Sequence, residues 1–550
     1  RETGANRLTA TDLIANQGLL AMAQDFGAVL PPALHEQVRN VSDHLHFYNE
    51  HTFGSAESIS DPMADNTQTQ WAEKSSYAWQ GVMQSRLLRE GAMGQVQPYL
   101  TGSTVPSIVV FNTLNWQRSG LHVIYIDEQV LPREKSFRLV DDRGEEIAAQ
   151  ITRSRPEGNY WAIWLNDVPP LGYRTIRIIS GTDDRPADRP FDPPDTIQNA
   201  HYRTVIDRRT GGLTSLFDRE LGQELIDPAR AWQLGQLIYE QLTSRSSIEE
   251  LRLGGHTRTA MRAITIEPGI DGPLWQSFTV KGISGGFIDS TRVACEFRLF
   301  RNTKRLDLIW KGRKMAIHEP EAAYVAFPFA LQGGTLAYEA QGGLAFPGEN
   351  QLPGTTTDWN TAQTFAALRS DRGQIVLVSD EVPLMQFGGI NTGRFQKNAR
   401  PASGQIYSWV LNNYWTTNFR SSQEGEMTWS YAITSGRDAS NDAATRFGWG
   451  TRVPFVSRVL PASPKKQSGV LTRSAWPFLP ASVLMVSARP VQGGILYHLR
   501  ETEGREATLR LTPDRTSVKV QEADALGTPL RAVASVSLKP YEVKFVLVGK

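Results

Sequence analysis

The sequence predicts a mainly β chain with an N-terminal helical bundle, and three observations carry that reading. Apolar residues recur every three or four positions through the first hundred or so residues. From about Pro106 they fall instead into short β-branched and aromatic runs separated by turn residues. No repeat of fixed period follows, which disfavours a propeller or solenoid. The β part is therefore expected to be one large antiparallel β-sandwich plus smaller β domains. At 550 residues the chain is too long for a single core, and three or four domains are expected.

The opening stretch Arg1 to Ala10 is polar and starts no obvious domain. Residue 1 is Arg and no signal-peptide core follows, so the chain reads as processed or truncated. Leu34, Val38, Val41, Leu45 and Tyr48 form one helical stripe. A second helix is expected to begin near Thr67, which has capping-box spacing to Gln70, with Trp71, Ala78 and Val82 on its apolar side. Gly54 and Pro62 break any continuous helix between them.

Strands are expected at 107–112, 120–126, 202–207, 291–300, 305–310 and 374–378, and near the end at 497–500, 507–511 and 543–548. The Pro- and Asp-rich stretch 181–194 reads as an exposed linker, and 461–469 as a last boundary.

Composition excludes several classes. Lys plus Arg number 58 against 57 Asp plus Glu, which argues against a nucleic-acid or anionic-membrane partner. No run of about 18 apolar residues is present, so no membrane span is expected. The single cysteine, Cys295, sits in an alternating run and reads as a buried, inert thiol. Phosphate-loop and His-Glu-x-x-His signatures are missing. Among nine histidines the densest group of metal-ligand types is His44, His46, Glu50 and His51. His44 and His46, two apart, point to nearly opposite sides of a helix; His51 stands where the helix gives out, beside a polar turn.

The segment Tyr48 to Pro62 with Gln70 to Lys74 resembles the end of the catalytic domain in glycoside hydrolase family 38, the zinc-dependent α-mannosidases. Further matches follow in order at Val109–Arg118, Asp207–Asp218, Tyr324–Phe329, Gln351–Trp359 and Asn412–Asn418. The resemblance implies a galactose-mutarotase-like sandwich. It also implies five segments: 1–60 as the tail of a catalytic domain, 61–104 as a helical bundle, 105–185 as a small β domain, 195–450 as the large sandwich and 460–550 as a C-terminal β domain.

By the same resemblance His51 is a zinc ligand, while Glu50, Asn413 and Trp415 contact an α-mannoside. Thr52 stands where many family members have a carboxylate. No His-x-Asp pair occurs in the chain, so the other zinc ligands and the nucleophile are expected in an upstream catalytic domain, and none of the catalytic residues here. The implied activity is retaining cleavage of α-mannosidic linkages, with this chain inactive alone and the compartment open between bacterial cytoplasm and periplasm. Two rivals are a non-catalytic carbohydrate-binding scaffold and a polysaccharide lyase built on Tyr414, Asn413 and a histidine.

Overall fold

The computed structural model describes residues 1–184, 190–246, 255–463, 472–474, 479–509 and 518–549. Residues 185–189 of the expected 181–194 linker, most of the 461–469 boundary and the end of the 507–511 strand lie outside them, while the linker's described flanks fall partly in strands, Gly172–Asp184 and Pro190–Phe191. The described helices include α1 (Glu2–Phe26), α2 (Pro32–Asn49), α3 (Asp65–Val96) and α4 (Asn441–Arg452). Strands otherwise dominate, and every paired neighbour is antiparallel, as the β-sandwich reading expects. Two compact units result: Arg1–Leu8, His44–Gln80 and Arg189–Gly448 form one, and Thr9–Asp43, Gly81–Asp188 and Trp449–Lys550 the other.

The first unit is built on a ten-stranded sheet whose centre runs Gly373–Ser379, Gly425–Gly436, Leu306–Lys314, Val293–Phe300, Trp275–Ile283. Alternation sets its inner face: Leu306, Leu308 and Trp310 point into the core, and Trp310 stacks on its cross-strand partner Trp429 at 5.9 Å. Cys295, opposite Trp310, is fully buried, and burial pushes its thiol well up, so it is the inert group expected.

A six-stranded sheet includes, in order, Leu237–Leu242, Glu321–Pro328, Gln405–Asn412 and Leu384–Phe387. Strand Glu321–Pro328 is buried along its whole length because both faces are covered. Ala323, Val325 and Phe327 enter the main core, while Ala322, Tyr324 and Ala326 join an outer cluster with Trp409 and Tyr414. A four-stranded sheet adds the hairpin Tyr202–Ile206 with Leu213–Asp218. Its turn needs glycine at 211, where φ is 74° and a Cβ would sit 2.5 Å from Val280. Helix α4 lays Ala444 and Phe447 on the other face of the ten-stranded sheet.

In the second unit, Ser107–Asn112 lies between Val456–Leu460 and Gly172–Asp184 in one sheet, and Arg118–Asp127, Gly158–Val168 and Ala149–Arg155 make another. Ile108, Val110, Ile124, Trp161 and Ile176 are in their shared core. A five-stranded sheet over Val483–Gly549 completes the unit.

Two expectations at the N-terminus are corrected. The polar opening is the start of the 25-residue α1. Residues 19 to 23 of that helix are all at most 2% exposed, so it is buried nearly all round and has no stripe for a pattern to reveal. Thr67 does not cap α3, which begins at Asp65; its hydroxyl donates to the Asp61 carbonyl, and Gln70 bonds Asn66 instead of closing a box. The α2 stripe is as expected, with Leu34, Val41, Leu45 and Tyr48 buried, and the chain between Asn49 and Asp65 is not helical.

Candidate functional site

Helix α2 stops at Asn49, and the ammonium of Lys74 from α3 is what finishes it. Lys74 is 7% exposed; it donates to the carbonyls of Phe47 (2.9 Å) and Glu50 (2.8 Å) and to the Glu50 carboxylate (3.2 Å). A cation here satisfies carbonyls that the helix leaves unpaired and complements its negative end. Lys74 also lies 4.9 Å over the Phe53 ring.

The next residues form a compact polar knot. Glu50 accepts from the backbone of Thr52 at 3.1 Å and from its hydroxyl at 2.5 Å. With Lys74 these bonds pull its carboxyl down to about 2, the Thr52 hydroxyl contributing most. Nδ1 of His51 sits 2.5 Å from the other Glu50 oxygen, while the imidazole is 89% exposed. Glu50 therefore has both oxygens engaged by protein groups, one of them the His51 imidazole. His44 lies half-buried near Tyr77 and His46 is exposed, so neither joins His51.

Residues 53–56 are bolted to a sandwich loop. Phe53 donates to the Asn418 carbonyl (2.7 Å), Asn418 to the Ser55 carbonyl (3.2 Å), and the Thr417 hydroxyl to the Ala56 carbonyl (3.1 Å). Phe53 stacks on Phe419 at 5.6 Å. The His51 segment is thereby fixed beside the loop that carries Trp415.

Between them is a cavity of about 250 Å³, walled by Tyr48, Phe53, Trp71, Trp415 and Phe419 and floored by Lys314, Glu321 and Asn412. Trp415 is half-buried and packs against Trp359 and Phe419. Asn413 differs from its expected role. Its side-chain nitrogen faces the carbonyls of Ile317, Glu319 and Ser421, and its oxygen takes the Glu321 amide at 2.7 Å. Both of its N–H groups and one lone pair of its oxygen are spent on backbone. Asn413→Ala is expected to cost about 1–3 kcal/mol in urea unfolding, because those groups lose their partner in the interior.

The neighbouring Asn412 lines the cavity together with Asn413, and its Oδ1 is buried without a partner. Sequence reasoning chose Asn413 of this pair as the sugar contact. Strand register is the missing signal, since it decides which of two adjacent asparagines turns inward.

Other candidates resolve structurally. Tyr414 is fully buried and donates to Glu240, as does Tyr324 at 3.0 Å, so the Tyr414 and Asn413 required of a lyase are both committed elsewhere. Asp358 accepts from the amides of Phe395 (2.8 Å) and Gln396 (2.9 Å) and anchors its loop, whereas Glu349 faces Arg400.

A second cavity, of about 440 Å³, shares Leu384, Leu411 and Asn412 with the first and is lined by Glu381. Burial, and then the charge of Asp380, push the Glu381 carboxyl up to about 7, against the bonds it accepts from Ser430. Its folded value lies above its usual 4.5, so its contribution to stability is fully present below pH 4.5 and lost as pH rises through about 7. Glu381→Gln is expected to flatten that fall in thermal melts taken across the same window.

No group of three or more His, Cys, Asp or Glu able to hold a metal occurs among the described residues. His51 and Glu50 supply at most one zinc ligand and its orienting partner, so the residues present do not by themselves fit a catalytic zinc.

Comparison with known proteins bears on the fold that carries these residues. Residues 197–382 match the family described as glycosyl hydrolases family 38 C-terminal domain. An alpha-mannosidase from Enterococcus faecalis V583 aligns over 100% of this chain and 67% of its own, at 13% identity and TM-score 0.73. A glycosyl hydrolase family 38 protein from Enterococcus faecalis aligns over 100% of this chain and 71% of its own, at 12% identity and TM-score 0.69. A galactose mutarotase-like protein from Lactobacillus casei aligns over 44% of this chain at 11% identity and TM-score 0.28. No curated protein matches the sequence. Among the described residues no helix is long and apolar enough to cross a membrane.

Proposed function

We propose that this chain, a C-terminal portion of glycoside hydrolase family 38, serves in zinc-dependent cleavage of α-mannosides by presenting His51 as one metal ligand. The observation that carries the reading is the local build of that residue. Its Nδ1 is held by Glu50, its Nε2 is left for a metal, and its loop is tied to the sandwich at Asn418 and Thr417. A carboxylate on one imidazole nitrogen fixes the tautomer and raises the basicity of the other, the arrangement zinc-binding histidines use. Glu50 is then a positioning residue and not a sugar contact.

The remaining ligands and the attacking carboxylate are assigned to a segment outside these 550 residues. The third of the Enterococcus faecalis alpha-mannosidase that has no counterpart in the aligned region supports this assignment. With those residues supplied, zinc would act as a Lewis acid on sugar hydroxyls, and the retaining chemistry would fall to carboxylates outside this chain, with His51 as one holder of the metal.

The test is hydrolysis of nitrophenyl α-mannoside. The 550-residue chain alone is expected to give none with added zinc. When it is expressed with the coding region that precedes Arg1 in its gene, zinc-dependent turnover is expected. Turnover by the chain alone would overturn the division of ligands.

A further inference from the structure

We propose that the cleft between the edge strands Arg118–Asp127 and Val456–Leu460 is a binding site for a small oxyanion of single negative charge, held by the guanidinium groups of Arg89 and Arg458. Every residue used here belongs to the second unit, and none takes part in the zinc reading above.

The cleft holds about 390 Å³, and the charges on its walls have one sign. Arg89 and Arg458 line it with His122, Tyr125 and Ser457, and none of its lining residues is a carboxylate. Behind its Phe455 wall lies a third guanidinium, Arg118, 3.5 Å over that ring and 4% exposed. Arg118 donates to the Val453 carbonyl at 3.0 Å, while its Nε is buried with no acceptor. Among the described residues it has no carboxylate partner, and burial alone drags its pKa down to about 9.

A charge count then sets the class of guest. Arg89 is paired with Asp12 at 2.5 Å, and Arg458 with Glu90. His122 is neutral near pH 7, because burial, then the charges of Arg118 and Arg89, push its imidazole down to about 3. Three guanidiniums against two carboxylates leave one positive charge unmatched. Such an excess beside a low-dielectric wall draws an anion into the opening, repels a cation and gains nothing from a neutral guest.

Donors are present to meet the anion. Arg89 spends two of its five N–H groups, on Asp12 and on Asn16 Oδ1 at 3.3 Å, and Arg458 spends two, on Glu90 and on Gln97 Oε1 at 3.0 Å. Three remain on each, in the planar fork that matches an oxyanion. The Ser457 hydroxyl lies 2.7 Å from Nε2 of His122, and with the proton on that nitrogen the hydroxyl is free to donate as well. Carboxylates and phosphates share the chemistry this arrangement recognises.

The experiment titrates the intact chain by calorimetry in low-salt buffer with acetate, with inorganic phosphate, and with acetamide as the neutral match for acetate. Saturable one-site binding is expected for at least one anion and not for acetamide; whichever anion binds more tightly tells a carboxylate site from a phosphate site. Arg458→Gln should weaken binding by about tenfold or more. Glu90→Gln, which removes an exposed counter-charge, should instead tighten it severalfold, whereas mere disturbance of the fold would weaken both variants. The site is overturned by any of four results: no saturable signal from either anion, acetamide binding as well as acetate, parent-like binding in Arg458→Gln, or no tightening in Glu90→Gln. Zinc-dependent turnover by the longer protein can survive every one of them, so the two proposals fail separately.

Discussion

In the longer protein proposed above, His51→Ala is expected to cut turnover of nitrophenyl α-mannoside by at least about 100-fold, since even groups that only orient a ligand are worth about 10–100-fold. The same change should leave the thermal midpoint of the chain almost where it was. At 89% exposure the imidazole packs against little, and surface substitutions of that kind move stability by about 0.5 kcal/mol or less. This split between activity and stability is what distinguishes a ligand from a structural histidine. Glu50→Gln should fall between, losing about tenfold or more in metal affinity because the His51 tautomer is no longer held by a charge. Near-normal zinc affinity and turnover in His51→Ala would remove that residue from the metal site.

The largest effect on the fold is expected from Lys314→Met. Lys314 and Glu321 are both almost fully buried and 2.5 Å apart, and the Tyr239 hydroxyl donates to the second Glu321 oxygen at 2.8 Å. Burial lowers the pKa of Lys314 and raises that of Glu321, so each needs the other to stay charged. Removing the lysine leaves a carboxylate alone in the sandwich, a loss of about 3–5 kcal/mol. The double change Lys314→Met with Glu321→Gln should recover much of that, because it takes away the stranded charge. Urea titrations of the two variants check this, and equal stability of single and double variants would show that the pair is not coupled.

The mainly β class was legible because pattern and fold share a period. The runs at 107–112 and 374–378 are strands within a residue at either end. What was not legible depended on partners far away in sequence. Helix α1 hides among small and polar residues because it is buried on nearly every side, and α4 went unseen because its twelve residues lie in a stretch that otherwise reads as sheet. At the site, the helix end before His51 was legible, and Asn49 is the last helical residue, whereas the ligand role of His51 came from the family resemblance. The part played by Lys74 was invisible, since it arises from α3 crossing the end of α2. Asn412 and Asn413 could not be told apart without the strand register that pairs Asn412 with Ala322.

The bolt between residues 53–56 and 417–419 also sets an order of events. Thr417 and Ala56 are 361 positions apart in the chain, so closing that contact carries the entropy of a very long loop. Contacts of such separation are repaid only once the intervening sheets exist, and they slow folding accordingly. The loop bearing His51 is therefore expected to settle late, after the sandwich it leans on, and to be among the first segments to loosen on heating. Competence to hold a metal would then report that a whole sandwich has folded, more sharply than any probe of the helices themselves.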